Sequence, residues 1–293
     1  MRRLSNSVYA EFYFWGCNPG FVVTRDGIVL IDTPQQPIDA LRWREMINDR
    51  FGSIRYIINT EAHWDHIHGN AYFPGVEVIA HKDIAERYES EILDRVPYLD
   101  RLKQTGPDSY WLCQHPSFPL NPPKRIFTDR LEVVLGEHMV VLENCPGHTI
   151  AQTHVSIPDE RIVFVGDNIF HQCKTWLQEC DPWQWLDNLD KLERDDMLIV
   201  PGHGEPCTKA YVPEQRAVIQ GWLEVVGDFI RSGFTEDEAV KQPFPKIDPY
   251  PLGQRLDQWE SWVHEQSMRH LYRLVAAKEG VGVVSSIPIR RFL

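Results

Sequence analysis

Residues 54–68, Ile-Arg-Tyr-Ile-Ile-Asn-Thr-Glu61-Ala-His63-Trp-Asp65-His66-Ile-His68, decide how this chain is read. The run IRYII is β-branched and aromatic, which predicts a strand. Immediately after it come three histidines and two acids within eight residues. Imidazole and carboxylate are the side chains that bind Zn²⁺, Mn or Fe, so a strand that ends in such a cluster points to a metal site. If Glu61-x-His63-x-Asp65 is extended, its alternation turns three donors the same way. The adjacent Asp65 and His66 then diverge, an arrangement suited to two ions.

Working outward, the same pattern recurs three more times. MVVLENC runs into Pro146-Gly147-His148-Thr149, RIVFV into Gly166-Asp167-Asn168, and MLIV into Pro201-Gly202-His203-Gly204. In an α/β sheet, ligands gather at strand ends, where Gly and Pro let the backbone turn sharply. A single histidine after a strand is ordinarily a cap or a surface residue. Four such junctions on neighbouring strands converge on one cleft, and this singles out Glu61, His63, Asp65, His66, His148, Asp167 and His203 as candidate metal ligands.

Taken together, EAHWDH (61–66), GHT (147–149), GDN (166–168), PGHG (201–204) and the earlier GIVLIDT (27–33) resemble the metallo-β-lactamase superfamily. The resemblance covers roughly residues 8–210. It implies an α/β fold, a metallo-β-lactamase-like αβ/βα sandwich with metals at one edge between two sheets. By position, it implies one ion held by Glu61, His63 and His148, a second held by Asp65, His66 and His203, and Asp167 between them. Asp32, at a strand end, matches the family's acid that orients ligands by hydrogen bonding, although such a residue also caps turns.

Two positions depart from the family pattern. Glu61 stands where the family usually carries His; the extra carboxylate lowers the formal charge of a two-ion site by one. That favours an oxygen-tolerant ion, Mn or Fe, over Zn at this position, or leaves the first site weak so that one ion suffices. His68 replaces a common Gly and reads either as a substrate-facing acid/base or as a residue at the start of a helix. Asn168, His171 and Trp176 are candidate substrate contacts, whereas Trp185 reads as core. The other histidines read as structural or exposed.

The 293 residues are 43% hydrophobic and 25% charged, an ordinary globular composition that fits one large α/β domain with an appendage. We expect a catalytic core over residues 1–210 and a helical C-terminal extension, 211–293, packed on it. A net charge of −12 argues against nucleic acid or an anionic membrane as partner. The six cysteines are scattered without a C-x-x-C pair, as in a reduced, cytoplasmic protein. No apolar run reaches membrane-spanning length. A small-molecule substrate is the expected partner, and a homodimer is compatible with the chain.

Strands are predicted at 8–14, 20–24, 28–32, 54–58, 131–135, 139–143, 153–157, 161–165 and 197–200. Helices are predicted after Pro37, over 83–104 and in three segments from 213. The Pro- and aromatic-rich stretch 106–123 reads as a lid over the cleft. The expected function is hydrolysis by a metal-bound hydroxide, with two divalent ions, zinc foremost. Asp65 or Asp167 would orient the nucleophile, and metal-bound water or His68 would protonate the leaving group. The expected substrate is small and uncharged or apolar: a lactone, ester, thioester or amide. Hydrolytic dehalogenation of an activated aromatic ring, iron-dependent oxidation of a sulfur compound, and a binding protein without chemistry are the alternatives.

Overall fold

Alternation of apolar residues on strands that are buried on both faces builds this molecule in four layers. The computed structural model describes residues 1–88, 121–243, 245–252 and 259–281. One sheet runs in the order β1 (Arg2–Arg3), β2 (Val8–Ala10), β3 (Gly20–Thr24), β4 (Gly27–Ile31), β5 (Ile54–Ile58), β6 (Glu77–His81), β7 (Arg125–Phe127). The other runs β12 (Leu198–Gly204), β11 (Ile162–His171), β10 (Thr153–Ile157), β9 (His138–Asn144), β8 (Arg130–Leu135).

On β4, Val29 and Ile31 point inward between the sheets and Ile28 and Leu30 point outward. Phe164 and Val200 of the second sheet meet the inward set, while Val163, Val165 and Ile199 face the other way. Each outer face is then covered by helices. Ala40, Trp43 and Ile47 of α1 (Pro37–Arg50) cover the first sheet. The second is covered by α4 (Pro182–Arg194), α5 (Val212–Arg231) and α7 (Glu260–Glu279), whose Trp185, Trp222 and Leu271 join one core with Val163 and Ile199. Burying both faces leaves no polar face on β3 and β4, which is why they read as nearly continuous apolar runs.

The short helices α2 (Trp64–Ile67) and α3 (Lys82–Arg87) follow β5 and β6, and α6 (Glu236–Val240) precedes α7. Strands β4 to β7 pair in parallel, as do β11 and β12. The fold therefore matches the expected αβ/βα sandwich with C-terminal helices. No helix among the described residues is long and apolar enough to cross a membrane.

Several local expectations change. The predicted strand 8–14 stops at Ala10, because the Glu11 carboxylate accepts the Phe12 and Tyr13 amides and turns the chain. Strands β6 and β7 were not expected from the sequence; β7 is only three residues long. The expected helix 83–104 is described only as far as α3 and Tyr88, and most of the stretch 106–123 lies outside the described residues.

Candidate metal centre

All seven candidate donors converge at one end of the sandwich. Ligand atoms of Glu61, His63, His148 and Asp167 form one cluster and those of Asp65, His66 and His203 a second, each within 4.8 Å of one another. The elements bring them there differently from the simple alternation expected. His63 caps the one-turn helix α2, so Asp65 and His66 project from a helical turn rather than from an extended strand. The helix forms because the His66 amide donates to the His63 carbonyl at 3.0 Å, which closes the turn.

Asp167 and His203 also lie within strands rather than after them. Strand β11 loses register against β12 between Gly166 and Phe170, and Asp167 sits in that irregularity. Bulges of this kind re-aim side chains. Gly166 has φ 49°, and a Cβ there would meet Gln152 Nε2 at 2.1 Å. Gly202 lets the backbone of β12 pass close to the centre, where an added Cβ would lie 1.9 Å from Asp167 Oδ1. Asn18 braces this stretch: its amide N–H donates to the Gly202 carbonyl, and its side chain donates to those of Pro201 and Gly204.

Three of the four candidate imidazoles face a partner with their far nitrogen. Asp32 adopts φ 55°, a left-handed conformation that Asp tolerates, and its Oδ2 lies 2.8 Å from His66 Nδ1. The same carboxylate accepts from Thr60 N at 2.8 Å and Thr60 Oγ1 at 2.6 Å. His66 Nε2 is thereby turned inward. His148 Nδ1 donates to the Trp176 carbonyl at 2.8 Å, which turns its Nε2 inward too. His63 presents Nδ1 to the centre, 2.9 Å from Glu61 Oε2, while its Nε2 faces Glu179 Oε2 at 3.6 Å. Arg87 pairs with that Glu179 oxygen at 2.6 Å. Such outer partners fix ring orientation and raise ligand basicity. Glu179, Arg87 and Asn18 were not singled out in the sequence. Only the pairing of distant residues in the fold reveals them.

Charge density at the centre is high. Burial opposes ionisation of Asp167, yet His203 and His66 hold its carboxyl well below the usual range. Burial likewise opposes protonation of His63, but Glu61 and Glu179 push it up to about 10. Against the same opposition from burial, Cys17, Glu61, Asp32 and Asp65 raise His66, and Asp167 and Asp65 raise His203. The carboxylates thus demand positive charge. Four inward atoms, Glu61 Oε1 and Oε2, His66 Nε2 and Asp167 Oδ1, are buried without a hydrogen-bond partner among the described residues. Buried polar atoms are rarely left so. Oxygen and imidazole donors aimed at a shared space fit divalent cations, which bind all of these atom types.

The other candidates separate. His171 lines a cavity of ≈ 220 Å³ together with His203, Phe12, Gln172, Cys173 and Leu252. Asn168 has a different task from the substrate contact expected of it. Its Oδ1 accepts the His148 amide, and its Nδ2 reaches the Cys145 carbonyl and His154 Nε2, so the amide positions the His148 loop. Trp176 offers its carbonyl to His148 while its side chain packs on the core. His68 lies in the 3-10 turn His68–Tyr72, buried, with its ring 4.1 Å from that of Trp64. Trp185 is core, as expected, and its Nε1 donates to the Asn168 carbonyl.

Comparison with known proteins agrees with this geometry. A family model described as the metallo-beta-lactamase superfamily matches residues 13–203. A hydroxyacylglutathione hydrolase from Bartonella henselae is 33% identical over 72 residues, 24% of this chain. The matching stretch covers only 28% of that relative's length. A metallo-beta-lactamase family protein from Thermus thermophilus superposes with TM-score 0.68, covering 95% of both chains at 16% identity. A metallo-beta-lactamase from Pontibacter korlensis gives TM-score 0.58 at 16% identity, over 75% of this chain and 97% of that one. At such identity these structures share the fold.

Proposed function

This chain belongs to the metallo-β-lactamase superfamily, and on that premise we propose that it is a hydrolase working through two divalent metal ions. The observation that carries the reading is the set of buried, unpartnered donor atoms converging from Glu61, His66 and Asp167. Glu61, His63 and His148 would hold one ion, Asp65, His66 and His203 the other, with Asp167 touching both groups. Zinc is the first expectation, with Mn or Fe compatible with the carboxylate-rich set. When bound, such ions lower the pKa of water toward 7 and polarise a substrate carbonyl.

The protein's own side chains then divide the work. Asp65 is the most exposed of the three central carboxylates, 22% against 5% for Asp167 and 0% for Glu61. It is therefore the one placed to accept a proton from incoming water. His203 Nε2 lies 3.2 Å from Asp65 Oδ2 and also lines the cavity, so it stands between the proton acceptor and the space for substrate. Asp32, Glu179 and the Trp176 carbonyl hold the imidazoles in place, which spares the site reorganisation during reaction.

The cavity supports a small uncharged substrate. Phe12, Cys173 and Leu252 supply apolar wall, and no Lys or Arg is among the described residues that line it. Arg2 lies over the Phe12 ring, and its charge is paired with Glu205. An ester, lactone or thioester fits this chemistry, and the hydroxyacylglutathione hydrolase likeness favours the thioester. A panel of thioester, ester, lactone, β-lactam and haloaromatic compounds tests this with metal-loaded protein. Turnover of an acyl substrate supports the proposal. Release of halide alone, or oxygen uptake with a persulfide alone, replaces it.

A further inference from the structure

We infer that Glu61 is a bridging ligand, with Oε2 serving the first ion and Oε1 the second, rather than a terminal stand-in for an imidazole. This rests on the two-ion reading above. Its oxygens face different groups. Oε2 lies 2.9 Å from His63 Nδ1 and 3.9 Å from His148 Nε2, both donors of the first group. Oε1 lies 3.0 Å from His66 Nε2, a donor of the second. Two ligands on one tetrahedral ion, each about 2.0–2.1 Å from it, are separated by roughly 3.3 Å. Each oxygen therefore stands within about 0.4 Å of the spacing of ligands that share an ion.

Asp167 shows the same two-sided arrangement. Its Oδ1 lies 3.3 Å from His66 Nε2, and its Oδ2 lies 3.6 Å from His148 Nε2 and 3.3 Å from His203 Nε2. Asp65 differs: its Oδ2 is near His66 and His203 only. The centre thus contains two carboxylates that face both groups and one that faces a single group. The Glu61 side chain is fully buried, and among the described residues its oxygens have no hydrogen-bond partner beyond their ion-pair contacts to these same imidazoles. An imidazole here could give the centre only one nitrogen, because its ring nitrogens point apart. A carboxylate gives two donors from one side chain. The Glu-for-His change at this position therefore alters the connectivity of the centre as well as its charge.

The two roles separate in single-ion backgrounds. His203→Ala cripples the second group and leaves the first; His148→Ala does the reverse. Zn²⁺ is titrated calorimetrically into the apo form of each, with and without Glu61→Gln, which keeps the side chain's size. Circular dichroism of each apo form checks that it is folded. A bridging Glu61 predicts that Glu61→Gln weakens Zn²⁺ binding in both backgrounds, by about tenfold or more. Weakening only in the His203→Ala background makes Glu61 terminal and overturns the inference while leaving the two-ion reading intact. Weakening in neither background also overturns it. If the unsubstituted protein takes up only one Zn²⁺, the two-ion reading itself fails.

Discussion

Replacing Gly202 with Ala should disable the centre while leaving the fold in place. Its φ lies outside the left-handed region, so alanine brings no backbone strain of its own. The new Cβ would lie 1.9 Å from Asp167 Oδ1, 3.1 Å from its Cγ and 2.9 Å from the Gly166 carbonyl carbon. Ordinary contact distances exceed 3 Å, so the Asp167 carboxylate must retreat by about 1 Å. Overpacking of this kind costs about 1–3 kcal/mol of stability, which a domain of this size survives. A displacement of about 1 Å in a reacting constellation costs about a hundredfold in rate, or about 2.7 kcal/mol of barrier. Thermal unfolding, metal content and kcat/KM on the best acyl substrate measure the three effects separately. The variant should unfold cooperatively at a slightly lower Tm, bind fewer ions and lose about a hundredfold in kcat/KM. A full complement of metal with unchanged kcat/KM would refute the claim that Asp167 joins the two groups through the space beside Gly202.

Two further outcomes follow from residues outside the ligand set. Glu179→Gln removes the charge facing His63 Nε2, so binding of the first ion should weaken about 10–100-fold in chelator competition while the second is unaffected; equal loss at both would point to general damage. Burial pushes the Asp248 carboxyl up to about 6, although its Oδ2 accepts the Thr175 amide. The fold therefore prefers it protonated, and its contribution is complete below about pH 4 and falls away as pH rises through 6. Asp248→Asn keeps an acceptor for Thr175 and removes the charge, so it should be about 2–3 kcal/mol more stable than the parent above pH 7 and equal near pH 4 in denaturant titrations. A difference independent of pH would contradict this.

Much of the fold and centre was legible because local chemistry and global role coincide. The runs at 20–24 and 27–31 are apolar on both faces because both faces are covered, and that composition is visible without knowing what covers them. The four strand-end junctions stand out since a cluster of His and acids beside Gly or Pro is rare, and the fold brings their side chains together. Strand β7 escaped because Arg125-Ile126-Phe127 is short and lies at a sheet edge, where burial leaves little pattern. Asn168 misled because it adjoins a candidate ligand, Asp167, while its own amide is spent on the His148 loop. Glu179 and Arg87 carry no local signal at all. Glu179 meets His63 across 116 residues of sequence and Arg87 meets Glu179 across 92, distances only the fold closes.

Metal content tests the central claim most directly. Protein purified without added chelator, dialysed and analysed by plasma emission should carry two divalent ions per chain. Exhaustive chelation should remove both ions and abolish acyl hydrolysis, and re-addition of Zn²⁺, Mn²⁺ or Fe²⁺ should restore the two together. Hydrolysis that persists in protein shown to be metal-free, or a folded apo form that takes up no divalent ion on titration, would contradict the account.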